Sequence, residues 1–87
     1  MEINFSNYSD DEIQQFYKNI SNNVKILRKN NNIKQLDLAL EIGIKSVAFY
    51  SNCENNRYNK HFNLEHLYKI SKSLKIDMCE LFLEKGN

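Results

Sequence analysis

The sequence predicts an all-α fold of five helices in which the first helix is extended at its N-terminal end. Three observations predict it. The chain has no proline and only two glycines, Gly43 and Gly86, so little except polar clusters interrupts it. Its apolar residues recur mainly at steps of three and four. Residues suited to helix N-caps precede most of those apolar stretches. At 87 residues the chain supports one core, and with 41% apolar and 26% charged residues it can fold but has no run apolar enough to span a bilayer.

Each element has its own warrant. From Ser9, the run Ser9-Asp10-Asp11-Glu12 forms a capping box, with three acids where a helix N-terminus favours negative charge. Ile13, Phe16, Ile20, Val24 and Leu27, with Tyr17 alongside, make one stripe that runs into Asn30, Asn31 and Asn32. The first helix is therefore long, with a kink expected near Ser21. Ile33, Leu36, Ala39 and Leu40, with Leu38, surround a short second helix that stops near Gly43, a residue type suited to a left-handed C-cap. Ser46 caps a third helix carrying Val47, Ala48, Phe49, Tyr50 and Cys53, and the polar loop 55–62 follows. Asn63 caps a fourth, whose expected inner face is Leu64, Leu67, Tyr68, Ile70, Ser71 and Leu74. A capping box from Asp77 to Glu80 opens a fifth around Leu81 and Phe82. Residues 1–8, with Ile3, Phe5 and Tyr8 alternating, read as an arm or a short edge strand.

The net charge of +1 conceals a segregated pattern. Residues 1–17 carry Glu2, Asp10, Asp11 and Glu12 without a base. Residues 18–36 carry Lys18, Lys25, Arg28, Lys29 and Lys34 without an acid, and residues 57–75 carry Arg57, Lys60, Lys69, Lys72 and Lys75 against Glu65 alone. Such segregation builds a basic face or merely a solvated one. The N-terminus has neither the basic region nor the apolar core of a signal peptide, which points to a cytoplasmic protein. In that compartment Cys53 and Cys79 read as reduced core residues.

Catalysis finds no support in the residues. His61 and His66 are five apart, off the spacing of four that aligns a zinc-binding pair, and neither cysteine sits at ligand spacing. No glycine-rich phosphate loop and no nucleophile, base and orienter triplet stands out. The expectation is a non-enzyme without cofactor or metal.

A short helix, a turn beginning with glycine, and a second short helix make the geometry of a helix-turn-helix. Leu27-Arg28, Ile33, Gln35, Leu38-Ala39, Gly43-Ile44, Ser51, Glu54, Leu67, Ile70, Leu74, Ile76 and Leu81-Phe82 follow one another in the order typical of phage repressor and Cro-like (XRE family) DNA-binding domains. The chain resembles that family over residues 20–83, leaving 1–19 as an N-terminal extension and 84–87 as a tail. The resemblance implies a lambda-repressor-like fold and a sequence-specific transcriptional regulator, a repressor, that reads the DNA major groove with its third helix.

It also implies roles. Gln35 matches the glutamine that bonds a DNA phosphate. Arg28 and Glu54 match an internal salt bridge. Counting back from Glu54 makes Ser46 the cap of the third helix and turns Val47, Ala48, Ser51 and Asn52 outward, with Tyr50 and Cys53 on core positions. Asn52 suits adenine, and Ser51 suits a phosphate or a base. Val47 and Ala48 read equally as thymine-methyl contacts or as packing against a neighbour. Lys45 and Ser46 stand at the entry to this helix, and Arg57 and Lys60 in the following loop are the phosphate contacts.

Three departures stand out: one extra residue between Gly43 and Glu54, assigned to Lys45; Asn56 where glycine is usual; and a scarcity of long polar side chains on the third helix to read bases. The implied partner is double-stranded DNA, bound as a homodimer on a palindromic operator, so that the protein is nucleoid-associated when bound. Leu81, Phe82 and Leu83, or the segment 1–17, supply the dimer contact, and the same segment suits a protein partner. The competing reading is a protein-interaction module of the same fold, such as an antitoxin or another regulator's dimerisation partner. Near-zero net charge, the acidic start of the first helix and the outward Val47-Ala48 pair favour it, while Gln35 and the basic loop weigh against it.

Overall fold

The computed structural model describes residues 8–84. Four α-helices, α1 (Asp10–Asn30), α2 (Gln35–Glu41), α3 (Val47–Asn55) and α4 (Leu64–Leu74), are joined by short connections, with 3-10 turns at Arg57–Asn59 and Met78–Phe82. No strand occurs among the described residues. Apart from Tyr8, the arm-or-strand expectation lies outside them.

The helix starts follow the cap chemistry. Ser9 Oγ accepts from Glu12 N at 3.0 Å, Ser46 Oγ from Phe49 N at 3.1 Å and Asn63 Oδ1 from His66 N at 2.8 Å. The stops are equally local. After α1, Asn32 takes φ +58 while Asn32 N donates to Lys29 O and Ile33 N to Arg28 O. After α2, Gly43 takes φ +87 while its N–H donates to Leu40 O and Ile44 N to Ala39 O. Both are the two-bond left-handed termination that satisfies the last carbonyls of a helix. An asparagine serves where a glycine is common.

The core gathers Ile20 and Val24 of α1, Leu38 and Ala39 of α2, Tyr50 and Cys53 of α3, and Leu67, Ile70 and Leu74 of α4. Phe62 and Leu81 close it from the two connecting segments. Burial of this kind is the main favourable term in folding.

Several expectations are corrected. α1 is continuous through Ser21 instead of kinking there, because the Ser21 hydroxyl is buried and donates across to Cys53 O at 3.0 Å. It therefore does not compete for its own helix's hydrogen bonds. The fifth helix is a 3-10 turn. Asp77 Oδ1 accepts from Cys79 N, one residue short of the expected Glu80, and Asn23 Nδ2 of α1 takes the carbonyls of Leu81 and Leu83 at 3.0 and 2.7 Å. Leu36 and Leu40 face outward because the core stripe of α2 is Leu38, Ala39 and Ile42. Leu64 and Tyr68 are exposed on α4 for the same reason of phase. Every residue from Asp10 to Phe16 is exposed, so the apolar Ile13 and Phe16 overhang the core. Cys79 is exposed, unlike the buried Cys53.

Candidate nucleic-acid interface

The face of interest is built from behind. Glu54, at the end of α3, is 2% exposed and receives four hydrogen bonds. Arg28 of α1 donates from Nε at 2.9 Å and from Nη2 at 3.1 Å, Tyr50 from its hydroxyl at 2.8 Å, and Gln35 of α2 from Nε2 at 2.9 Å. The third guanidinium nitrogen, Nη1, donates to Ile33 O at 2.7 Å. One carboxylate thus joins α1, α2 and α3. Burial works to raise its pKa, but the bonds from Arg28, Gln35 and Tyr50 outweigh burial and hold it below the usual carboxylate range. The bond to Glu54 raises Arg28 in turn, and burial beside the carboxylate raises the Tyr50 phenol. Among the described residues no buried side-chain polar atom lacks a partner. A satisfied buried network of this kind fixes geometry.

The tether sets the turn and the start of α3. Ile44 is buried under the turn while Lys45 and Ser46 remain exposed. Val47 and Ala48 are exposed in the first turn of α3, and Ser51 and Asn52 are half-buried one turn on. Tyr50 and Cys53, on the inward face of the same helix, are fully buried. Ser51 accepts from Asn55 Nδ2 through its carbonyl at 2.9 Å. The Asn52 carboxamide makes no hydrogen bond within the described chain, so its donor and acceptor are both unused.

The loop after α3 is shaped by left-handed residues at Asn56, Tyr58 and Asn59, with φ of +54, +55 and +60. Asn56 substitutes for glycine and adds a latch, its Nδ2 donating to Ser21 Oγ at 3.0 Å and to Lys60 O at 3.2 Å. The overhanging end of α1 braces the same loop. Gln14 Nε2 donates to Asn59 Oδ1 at 3.3 Å, and the Tyr17 and His61 rings stack with centroids 3.8 Å apart. Lys25 Nζ donates to Asn55 Oδ1 at 2.8 Å. Arg57 and Lys60 are exposed on the loop.

Gln35, Ser46, Val47, Ala48, Ser51 and Asn52 all lie on the α2–turn–α3 unit that Glu54 anchors. Gln35 is the residue whose position adds most to its sequence reading, since half of its amide is committed to Glu54 and one N–H remains. Sequence reasoning missed two features. His66, weighed in the sequence only as one of a histidine pair, has its Nδ1 accepting from Asn63 N at 3.1 Å, completing a capping box. Its ring is half-buried, edge-on to Phe49 and Phe62. Burial lowers its pKa, opposed by neighbouring Glu65. The signal was present in the Asn63-x-x-His66 spacing, had histidine been counted as an acceptor at that position. The other missed feature is the bracing of the loop by Gln14 and Tyr17, which joins residues far apart in sequence.

A comparison of sequences decides the family. Residues 24–81, about two thirds of the chain, match the family described as helix-turn-helix. The chain belongs to this helix-turn-helix family, the DNA-binding regulators of the phage repressor and Cro (XRE) type. No curated protein and no solved structure matches it. The family match begins inside α1, past the overhang, and runs through Leu81. Among the described residues no helix is long and apolar enough to cross a membrane.

Proposed function

We propose that this helix-turn-helix protein is a sequence-specific transcriptional regulator that inserts the first turn of α3 into the major groove of double-stranded DNA. The observation that carries the reading is the anchoring of α3 by Glu54 to two other helices, with small side chains outward at Val47 and Ala48 and an unused carboxamide at Asn52. An amide with both groups free matches the adenine edge, and small apolar groups match a thymine methyl. Ser46, Ser51 and Lys45 lie beside them at the protein surface or half-buried. The spare N–H of Gln35 and the charges of Arg57 and Lys60 serve the phosphates, which position the protein without reading sequence.

One module of this size buries too little surface for tight binding, so two copies act on half-sites about one helical turn, ~34 Å, apart. Leu81 is fully buried and unavailable for the contact between copies. Phe82 and Leu83 are exposed beside α1, where Asn19 and Asn23 hold the Leu83 carbonyl, and Ile13 and Phe16 are exposed on the overhang. These residues form the dimer contact in this reading.

The test is an anisotropy titration with pooled genomic fragments at two salt concentrations, repeated with Arg57→Ala plus Lys60→Ala. Neither side chain takes part in a side-chain hydrogen bond, so the variant keeps its fold. Tight, salt-sensitive binding that weakens and loses salt slope in the variant is expected, because each neutralised phosphate releases counterions. Absence of binding at low salt by the folded protein overturns the reading in favour of a protein-interaction module.

A further inference from the structure

We propose that Tyr58 is a DNA-backbone contact, its ring lying on a deoxyribose and its hydroxyl donating to the adjacent phosphate oxygen. The inference rests on the DNA-binding reading above and deepens it. Tyr58 adopts φ +55 and ψ +34, a left-handed conformation that glycine and asparagine adopt readily and tyrosine rarely does. It is also 80% exposed, more than any other large hydrophobic residue of the described chain. Its ring and hydroxyl make no hydrogen bond or ring contact within that chain. The fold therefore gains nothing from an aromatic ring at this position, while the backbone is strained to hold it there. Strain of this kind that serves no contact in the fold points to a contact outside it.

The surroundings say what that contact is. Tyr58 lies between Arg57 and Lys60, and residues 55–63 contain no acid, so the loop attracts an anionic surface rather than a cationic one. The loop is also set in advance. Asn56 is latched to Ser21 and to Lys60 O, Asn59 is held by Gln14, and His61 is stacked on Tyr17. A loop backbone fixed before binding loses little entropy on contact. Tyrosine hydroxyls are among the groups that bond phosphate oxygens in protein–DNA interfaces. The contact is thus sequence-independent and uncharged, which distinguishes it from those of Arg57 and Lys60.

Full-length Tyr58→Phe, Tyr58→Asn and Arg57→Ala proteins are titrated by anisotropy against a random-sequence duplex over a range of low salt concentrations, with thermal melts alongside. Asparagine tolerates the left-handed backbone, so Tyr58→Asn melts no lower than the wild type. Both Tyr58 variants are expected to bind roughly tenfold more weakly, the loss of one hydrogen bond to a charged group. Their plots of log affinity against log salt keep the wild-type slope, whereas Arg57→Ala flattens it by about one. Wild-type affinity in either Tyr58 variant overturns the proposal while leaving the DNA-binding reading intact. A folded wild type that binds no duplex at low salt overturns both.

Discussion

The two ends of α3 are built on opposite principles. Its last turn ends in Glu54, buried and bonded by Arg28, Gln35 and Tyr50, so three helices meet at one carboxylate. Its first turn carries Val47 and Ala48 in the open, held by little beyond the Ser46 cap. The end that sets the angle of the helix is rigid and polar, and the end left in the open is small and apolar. In the DNA-binding reading, orientation and recognition are thus separated along nine residues, which lets the outward side chains vary without loosening the fold.

Removing one partner at the rigid end breaks the comparison most severely. Arg28→Met leaves the Glu54 carboxylate buried without its countercharge and is expected to lower unfolding free energy by about 3–5 kcal/mol in urea titrations. Adding Glu54→Leu to the same protein restores part of the loss, because an unpaired buried charge is worse than none. Gln35→Ala removes one hydrogen bond to the same charged group and is expected to cost about 1.5 kcal/mol. Gln35→Glu costs more, since it sets a second carboxylate beside Glu54. In the DNA-binding reading both Gln35 variants also weaken duplex binding.

A smaller effect follows from pH at the start of α4. Burial lowers the His66 pKa, and its Nδ1 must be unprotonated to accept from Asn63 N. The neutral ring is therefore the form the fold stabilises. That contribution is complete above the unfolded value of about 6.5 and fades as pH falls through the lower folded value. Glu54 behaves in the same sense further down, its contribution fading only below the usual carboxylate range. Thermal melts between neutral and mildly acidic pH should show the first decline in the wild type and a flatter profile in His66→Gln, which keeps an acceptor at the capping-box position. The smallest change belongs to the open end. Asn52→Ala should shift stability by less than about 0.5 kcal/mol, while competition titrations show reduced preference for a selected site over random duplex.

The same division explains what could be read in the sequence. Helix starts and stops depend on a few adjacent residues, so Ser9, Ser46, Asn63 and Gly43 revealed their roles from spacing alone. The buried pair Arg28 and Glu54 came from a family pattern and lies across two helices in the fold. Exposure was harder, because a leucine at helical spacing does not say which flank of the stripe meets the core. Leu36, Leu40, Leu64 and Tyr68 all fell on the outer side of that line. The last helix failed for another reason: Asn23, more than fifty residues earlier, takes the carbonyls of Leu81 and Leu83, and no local pattern records that. At the candidate interface the unit from Gln35 to Asn52 was legible. The strained Tyr58 was not, because no adjacent residue type marks a tyrosine as left-handed.

The two thiols form a built-in chemical clock. Cys53 is fully buried, its thiol reaches toward His61 O at 3.5 Å, and burial raises its pKa, the stronger influence over the opposing charge of Lys60. Cys79 is exposed. Because the thiolate is the reactive form, an alkylating reagent should modify Cys79 at once and Cys53 only when α3 lifts from its neighbours. The slow phase of labelling would then time the opening of α3 in the unmutated protein, and its lengthening on addition of DNA would give a reading of how firmly that helix is held.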